Sequence, residues 1–281
     1  MKNNNEIERL HEMLLSIYAE IKKICDENNL RYYAVGGTCI GAVRHNGIIP
    51  WDDDVDIAMP REDYEKFLEI AKEKLPKNLE VFDVTSCLHN ENVFAKIHNI
   101  NTTFVGKDNV IYKDRYTGAF VDIMPLDGLP NNKFLRSIHM KKLKFLLVAN
   151  TKVRFPYSRC SSFGGKLMYF FMWPVKKLRS PYYIYNKYLK LLKKYKFDKS
   201  EYFCYAWDKY MKQYVFKREW FDGVVNFKFD NTEIPCPAGY DSYMKKEFGN
   251  YMELPPVECR VMGHVEGGIM DLDNSYKKYV K

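Results

Sequence analysis

The run Val35-Gly36-Gly37-Thr38, followed closely by Trp51-Asp52-Asp53-Asp54-Val55-Asp56-Ile57, is the stretch on which the fold turns. Successive side chains of a β-strand point to opposite faces, so residues two apart share a face. Asp54 and Asp56 are therefore expected to project together, while Val55 and Ile57 anchor the opposite face in a core. Two carboxylates so placed repel unless a cation lies between them, and hard oxygen donors suit Mg²⁺, with Mn²⁺ as the alternative. A calcium-binding EF-hand is a poor match. It needs Gly at the sixth loop position and Glu at the twelfth, where Ile57 and Asp63 stand.

Immediately upstream, Val35-Gly36-Gly37-Thr38 reads as a strand running into glycines, with Thr38 capping a short helix that continues to Arg44. Glycines let a phosphate approach the backbone, and a helix N-terminus favours negative charge. Downstream, Phe120-Val121-Asp122-Ile123-Met124 sets a carboxylate inside an apolar strand. A buried Asp must be paired, hydrogen-bonded or on a metal. Asp54, Asp56 and Asp122 beside a Gly-Gly turn would make a one-metal or two-metal phosphoryl-transfer centre.

The surrounding pattern supplies a scaffold. Ile7, Leu10, Met13, Leu14, Ile17, Tyr18, Ile21, Ile24 and Cys25 fall on one face of a helix over residues 6–28, which Asn28-Asn29 ends. Arg31–Val35 and Asp54–Ala58 read as strands, and Pro60 opens a helix with Tyr64, Phe67, Leu68, Ala71 and Leu75 inward. Further strands are expected at Glu80–Val84, Val93–Ile97, Thr102–Val105 and Ala119–Met124. The fold class is α+β, a mixed sheet with packed helices. Residues 1–130 form the core, 131–200 a basic helical insertion with Pro156, Pro174 and Pro181 as breaks, and 201–281 a turn-rich segment folding back to complete the site.

Composition narrows the classes. With 281 residues, 46% hydrophobic and 28% charged, the chain is too apolar for disorder and too charged for an integral membrane bundle. Its net charge of +8 hides an asymmetry. Residues 133–196 hold 17 of the 44 Lys and Arg and no acid, leaving 27 basic against 36 acidic residues elsewhere. Short aromatic-apolar runs there, such as 167–175, cannot span a bilayer but suit peripheral contact with an anionic membrane. The alternative is a helical insertion with solvated lysines. No nucleic-acid motif is present, and no nucleic-acid partner is expected. Seven cysteines without a C-x-x-C pair, and a start lacking a signal peptide, point to a reduced cytoplasmic protein, on the inner face of the membrane if the basic segment docks there.

Gly-Gly, then Asp-h-Asp-h (h apolar), then a third Asp on a later strand, resembles the DNA polymerase β-like nucleotidyltransferase pattern. The full string from Val35 to Asp56 is more specific and resembles the LicD family of phosphorylcholine transferases, to which fukutin and fukutin-related protein are also similar. Phe94-Ala95-Lys96-Ile97, Thr102-Thr103, Val121–Asp127 and a tail with Pro235-Cys236-Pro237, Tyr240, Tyr243, Phe248–Met252, Leu254-Pro255-Pro256, Arg260 and His264 also match. The likeness covers 6–130 and 220–281. Phe248 stands where the family usually has Tyr, and Phe229-Asp230 where many members have Phe-Glu.

The resemblance implies transfer of a phospho-alcohol from a CDP-alcohol donor, CDP-choline favoured, to a sugar hydroxyl of a glycan or lipid-linked glycan, with CMP leaving. Lipopolysaccharide, teichoic acid and capsule are the surface polysaccharides in view. Asp54 and Asp56 would hold the metal, and Asp122 would complete the site and take the acceptor's proton. Gly36, Gly37 and Thr38 would cradle phosphate, Arg44 and Lys96 would neutralise charge, and His264 would contact substrate. Asp52 and Asp53 would support the turn or back the metal ligands from behind. Two rivals share parts of this pattern: a nucleotidyltransferase adding a nucleoside monophosphate to a small molecule or RNA, and an Asp-x-Asp glycosyltransferase. Gly164-Gly165-Lys166 lacks P-loop spacing, which excludes an ATPase of that type.

Overall fold

The computed structural model describes residues 2–160, 162–180, 182–208, 211–265 and 267–280. The chain divides into two compact units: residues 1–82, 95–125 and 219–281 form one, and 83–94 and 126–218 the other.

In the first unit, α1 (Lys2–Asn28) buries Leu10, Leu14, Ile17, Tyr18 and Ile21 completely, as its three- and four-residue spacing requires. Asn29 ends it in the left-handed region at φ 52°, and the Leu30 N–H donates to the Cys25 carbonyl. Strand β1 (Tyr33–Ala34) leads into α2 (Gly36–Ile40), which continues as a π-helical turn over Gly41–His45. Thr38 is therefore inside the helix rather than its cap; Val35 holds that position. Strand β2 (Asp56–Pro60) begins two residues later than its sequence pattern suggests, and α3 (Arg61–Lys74) follows with Pro60 as its N-cap.

The sheet is completed by β3 (Leu79–Phe82), β4 (Ala95–Asn99) and β6 (Phe120–Leu129), with β5 (Thr103–Val105) between the last two in sequence. Its order is β1-β2-β6-β4-β3. The outer pairs β1–β2 and β3–β4 are antiparallel, as is β4–β6, whose register sets Lys96 opposite Asp122. The expected α+β architecture, a mixed sheet with packed helices, is the one observed.

The second unit begins its helices with α4 (Lys133–Arg154), capped by the Asn132 side chain, which accepts from the Phe134 and Leu135 N–H groups. Helices α5 (Phe163–Leu178) and α6 (Tyr183–Leu192) pack on α4, and β7 (Tyr202–Cys204) and β8 (Val215–Lys217) extend the far half of β6. Leu129, Leu143, Tyr188, Leu192 and Met211 form its core. Arg154 is buried and donates to the carbonyls of Val84, Cys87 and Leu88, tying the 83–94 segment to α4. Of the expected breaks, Pro156 lies just beyond α4, whereas Pro174 lies inside α5. It is tolerated in a helix interior that lies largely open to solvent. Pro181 lies outside the described residues. None of the described helices is long and apolar enough to cross a membrane.

The chain then returns to the first unit. The hairpin β9 (Val224–Phe229)–β10 (Thr232–Pro237) packs on β1, followed by α7 (Tyr240–Phe248) and β11 (Ile269–Asp271), which pairs with β5.

Candidate active site

Three carboxylates meet where β2 begins beside β6. A carboxylate oxygen from each of Asp54, Asp56 and Asp122 lies within 4.8 Å of those of the other two. Backbone bonds fix the geometry. The Asp122 N–H donates to the Val55 carbonyl at 2.9 Å, joining β6 to the segment before β2, and the Val35 N–H donates to the Asp56 carbonyl. Asp54 is thus not a regular strand residue, yet it converges with Asp56 and Asp122.

The glycines are needed because the acidic segment packs against their backbone. Gly36 sits at φ +56°, a conformation that side chains resist, and a Cβ there would lie 3.3 Å from an Asp56 carboxylate oxygen. A Cβ on Gly37 would come within 2.7 Å of Asp52 Oδ2. The Gly36 N–H donates to the buried Tyr243 hydroxyl at 2.9 Å. Thr38 Oγ1 accepts from the Asp56 N–H at 2.7 Å, so its hydroxyl positions the carboxylate strand.

Charge is unevenly compensated within the cluster. Asp122 does not stand without a protein partner: Lys96 Nζ donates to its Oδ1 at 2.7 Å, with both side chains largely buried. Lys96 also lies over the Phe120 ring, which screens the pair from water. Asp56 is different. Its Oδ1 is buried and lacks a hydrogen-bond partner. Burial, then the charges of Asp54 and Asp122, hold Asp56 well above the usual carboxylate range. Burial also raises Asp54, with His264 opposing, and burial followed by Asp54 and Asp53 pushes Asp52 to about 7.

Asp53 carries out a different task. Its buried carboxylate accepts from the backbone N–H groups of His264 and Val265 at 2.9 and 3.0 Å, and lies 2.9 Å from His264 Nδ1. Burial alone would raise Asp53, but these bonds outweigh it and hold the carboxyl below its ordinary value. The bond to Asp53, against the opposing effect of burial, raises His264 to about 9, and Nδ1 lies 3.4 Å from Asp54 Oδ2. Asp53 thus favours the protonated form of His264, which would set positive charge beside the carboxylates.

Of the residues singled out in the sequence, Gly36, Gly37, Thr38, Asp54, Asp56, Lys96, Asp122 and His264 are thus linked around one centre. Arg44 is engaged elsewhere: Nη1 donates to the Tyr251 and Glu253 carbonyls, tying the π-helical turn to the tail. Three further residues build the surroundings. Tyr243 holds Gly36, His11 Nε2 lies 2.8 Å from the Asp52 carbonyl oxygen, and Asp230 accepts from the Ile48 N–H at 2.8 Å. That last bond gives the acid after Phe229 a definite role in the loop before Trp51.

An all-oxygen donor set with an orphaned buried oxygen and mutual repulsion fits a hard divalent cation. A second group, Asp53, Asp54 and His264, is equally compact, but Asp53 and His264 already satisfy one another.

Known proteins share sequence with this chain. Lipopolysaccharide cholinephosphotransferase LicD of Haemophilus influenzae is 26% identical over 264 residues, covering 90% of this chain and 93% of that protein. A Rickettsia prowazekii protein of uncharacterised function is 30% identical over 136 residues, 47% of each chain. Human ribitol 5-phosphate transferase FKRP is 45% identical over 40 residues, 14% of this chain and 8% of that protein. The family model described as LicD/FKTN/FKRP, nucleotidyltransferase domain, matches residues 29–169, and the chain belongs to this family.

Proposed function

We propose that this protein is a Mg²⁺-dependent transferase that moves a phospho-alcohol from a CDP-alcohol to a sugar hydroxyl on a cell-surface glycan or its lipid-linked precursor, releasing CMP. The observation that carries the proposal is the convergence of Asp54, Asp56 and Asp122 around an unsatisfied buried oxygen, in a chain collinear with a cholinephosphotransferase over nearly its whole length. Asp54, Asp56 and Asp122 would hold Mg²⁺, or Mn²⁺ in its place. The bound cation would offset the charge of the donor's pyrophosphate.

The chain's own groups have distinct tasks in the reaction. The acceptor oxygen forms a bond to the phosphorus carrying the alcohol, and the bond from that phosphorus to the bridging oxygen breaks, so that CMP leaves with the bridging oxygen. Asp122, oriented by Lys96, takes the hydroxyl proton. Lys96 and His264 face the negative charge that spreads over the transferred group. Gly36 and Gly37 keep the floor of the site free of side chains. Phosphocholine is the favoured cargo because of the LicD relative, with ribitol phosphate second because of FKRP. Seven free cysteines suit the cytoplasm, where CDP-activated donors would be met.

Incubation of the protein with Mg²⁺, a crude glycan acceptor and CDP-choline, CDP-ribitol or CDP-glycerol, followed by mass spectrometry of the acceptor, tests the proposal. A phospho-alcohol increment is expected. A nucleoside monophosphate or bare sugar increment from the corresponding nucleotide donors would replace the reading with one of its rivals.

A further inference from the structure

The basic segment contains a helix with two apolar faces. Met168, Met172 and Val175 of α5 pack against the cluster of Ala149, Val153 and Ile184. At 100° per residue, Phe163, Leu167, Phe170, Phe171 and Leu178 fall together on a roughly 100° arc turned away from those three. They are not core. Phe163 is 83% exposed, Phe170 77% and Leu178 79%. By the same wheel, Lys166 and Lys177 flank one edge of the arc. Monomeric proteins rarely leave so large a contiguous apolar ridge in water without a partner.

We propose that this ridge lies in the surface of an anionic lipid bilayer, with α5 parallel to the membrane plane and its lysines at the headgroups. Charge selects this occupant. The 64-residue stretch 133–196 carries 17 Lys and Arg and no acid, so a second copy of the same face would meet like charge. A nucleic acid would satisfy the charge and could stack on Phe170 and Phe171, but it offers no apolar phase for Leu167 and Leu178. An anionic membrane offers both. At 16 residues α5 is about 24 Å long, too short to cross the hydrocarbon core.

A second feature of the same helical unit agrees. A groove of about 810 Å³ between α4 and α6 has an apolar floor of Phe145, Leu146 and Leu191, rimmed by Lys141, Lys187 and Lys190 among others. Apolar surface edged by ammonium groups suits contact with acyl chains below anionic headgroups. The docking reading rests on these helices and their charge alone, so its failure would leave the carboxylate chemistry untouched.

Co-sedimentation of the full-length protein with vesicles tests the proposal. Binding is expected to phosphatidylcholine vesicles containing about 30% phosphatidylglycerol and to fall steeply between about 0.05 and 0.5 M NaCl, as the Debye length shortens. Phosphatidylcholine alone should bind roughly tenfold less. Phe170→Asp with Phe171→Asp should lower anionic binding by roughly tenfold or more while leaving the circular dichroism and CMP release from a soluble donor unchanged, because both side chains are exposed. Lys187→Glu with Lys190→Glu should act in the same direction, which keeps the test decisive should the first pair misfold. Equal binding to neutral and anionic vesicles, no binding to either, wild-type binding by folded variants, or a stable dimer abolished by the Phe170/Phe171 changes would each overturn it.

Discussion

Lys96→Met removes an ammonium from the site while keeping an unbranched side chain in its place. Lys96 Nζ stands 2.7 Å from Asp122 Oδ1, with side chains only 14% and 6% exposed. Deleting one partner of a buried pair costs about 3–5 kcal/mol, because the remaining charge is neither solvated nor paired. Asp54 and Asp56, the carboxyl groups within 4.8 Å, offer Asp122 no compensating positive charge. At about 2–4 °C per kcal/mol for chains of 150–250 residues, the thermal midpoint should fall by roughly 10 °C in EDTA. Adding Asp122→Asn should recover much of this loss, since the stranded charge is then gone. The double-mutant cycle should give a coupling of about 2 kcal/mol or more. Mg²⁺ should also restore part of the midpoint of Lys96→Met, by supplying the missing positive charge. A single variant within about 0.5 kcal/mol of wild type, or additive losses in the cycle, would refute the argument that Lys96 compensates Asp122.

Four other outcomes follow from the structure. Asp54→Asn and Asp56→Asn should each lower turnover by more than the roughly 10- to 100-fold typical of residues that merely support a ligand. Asp56→Asn should also raise the thermal midpoint in EDTA by relieving repulsion at the orphaned oxygen; a lowered midpoint would indicate a structural role. Asp53→Ala should release the tail locally, so that hydrogen exchange near His264 and Val265 rises while α1 stays protected. Acid should destabilise the first unit through His98, which burial, assisted by Lys96 and Lys277, lowers from 6.5 to about 4. A depressed histidine contributes stability that is full above pH 6.5 and lost as the pH falls towards 4, about 3 kcal/mol in all. Denaturation midpoints of His98→Asn should vary less over that interval, and an unchanged slope would assign the effect elsewhere.

The centre was legible in the sequence where local pattern carries chemistry. Apolar residues around Asp56 and Asp122 mark strand positions with buried faces, and glycines mark where a carboxylate meets backbone. Partnerships formed by topology were not legible. Lys96 faces Asp122 only because β4 pairs antiparallel with β6 in one register, and neither local sequence states that register. Asp53 and His264 are 211 residues apart, and Gly36 and Tyr243 are 207 apart. Arg44 shows the converse. It is near the acidic run in sequence, but the π-helical turn directs it to the Tyr251 and Glu253 carbonyls. Pro174 misled because a proline in an apolar-basic run reads as a break, while α5 absorbs it on an exposed face. The tail's part in the site had one sequence signal, the matched Tyr243 and His264, and their contacts lay beyond any local pattern.

Asp54, Asp56 and Asp122 are proposed to form a divalent-cation centre for transfer from a CDP-alcohol. CMP release from CDP-choline, measured with a glycan acceptor in Mg²⁺ and in EDTA for wild type and Asp56→Asn, tests it most directly. The wild type is expected to release CMP in Mg²⁺ but not in EDTA, together with a stoichiometric gain of phosphocholine on the acceptor. Equal CMP release in EDTA, or undiminished release by a folded Asp56→Asn variant, would contradict it.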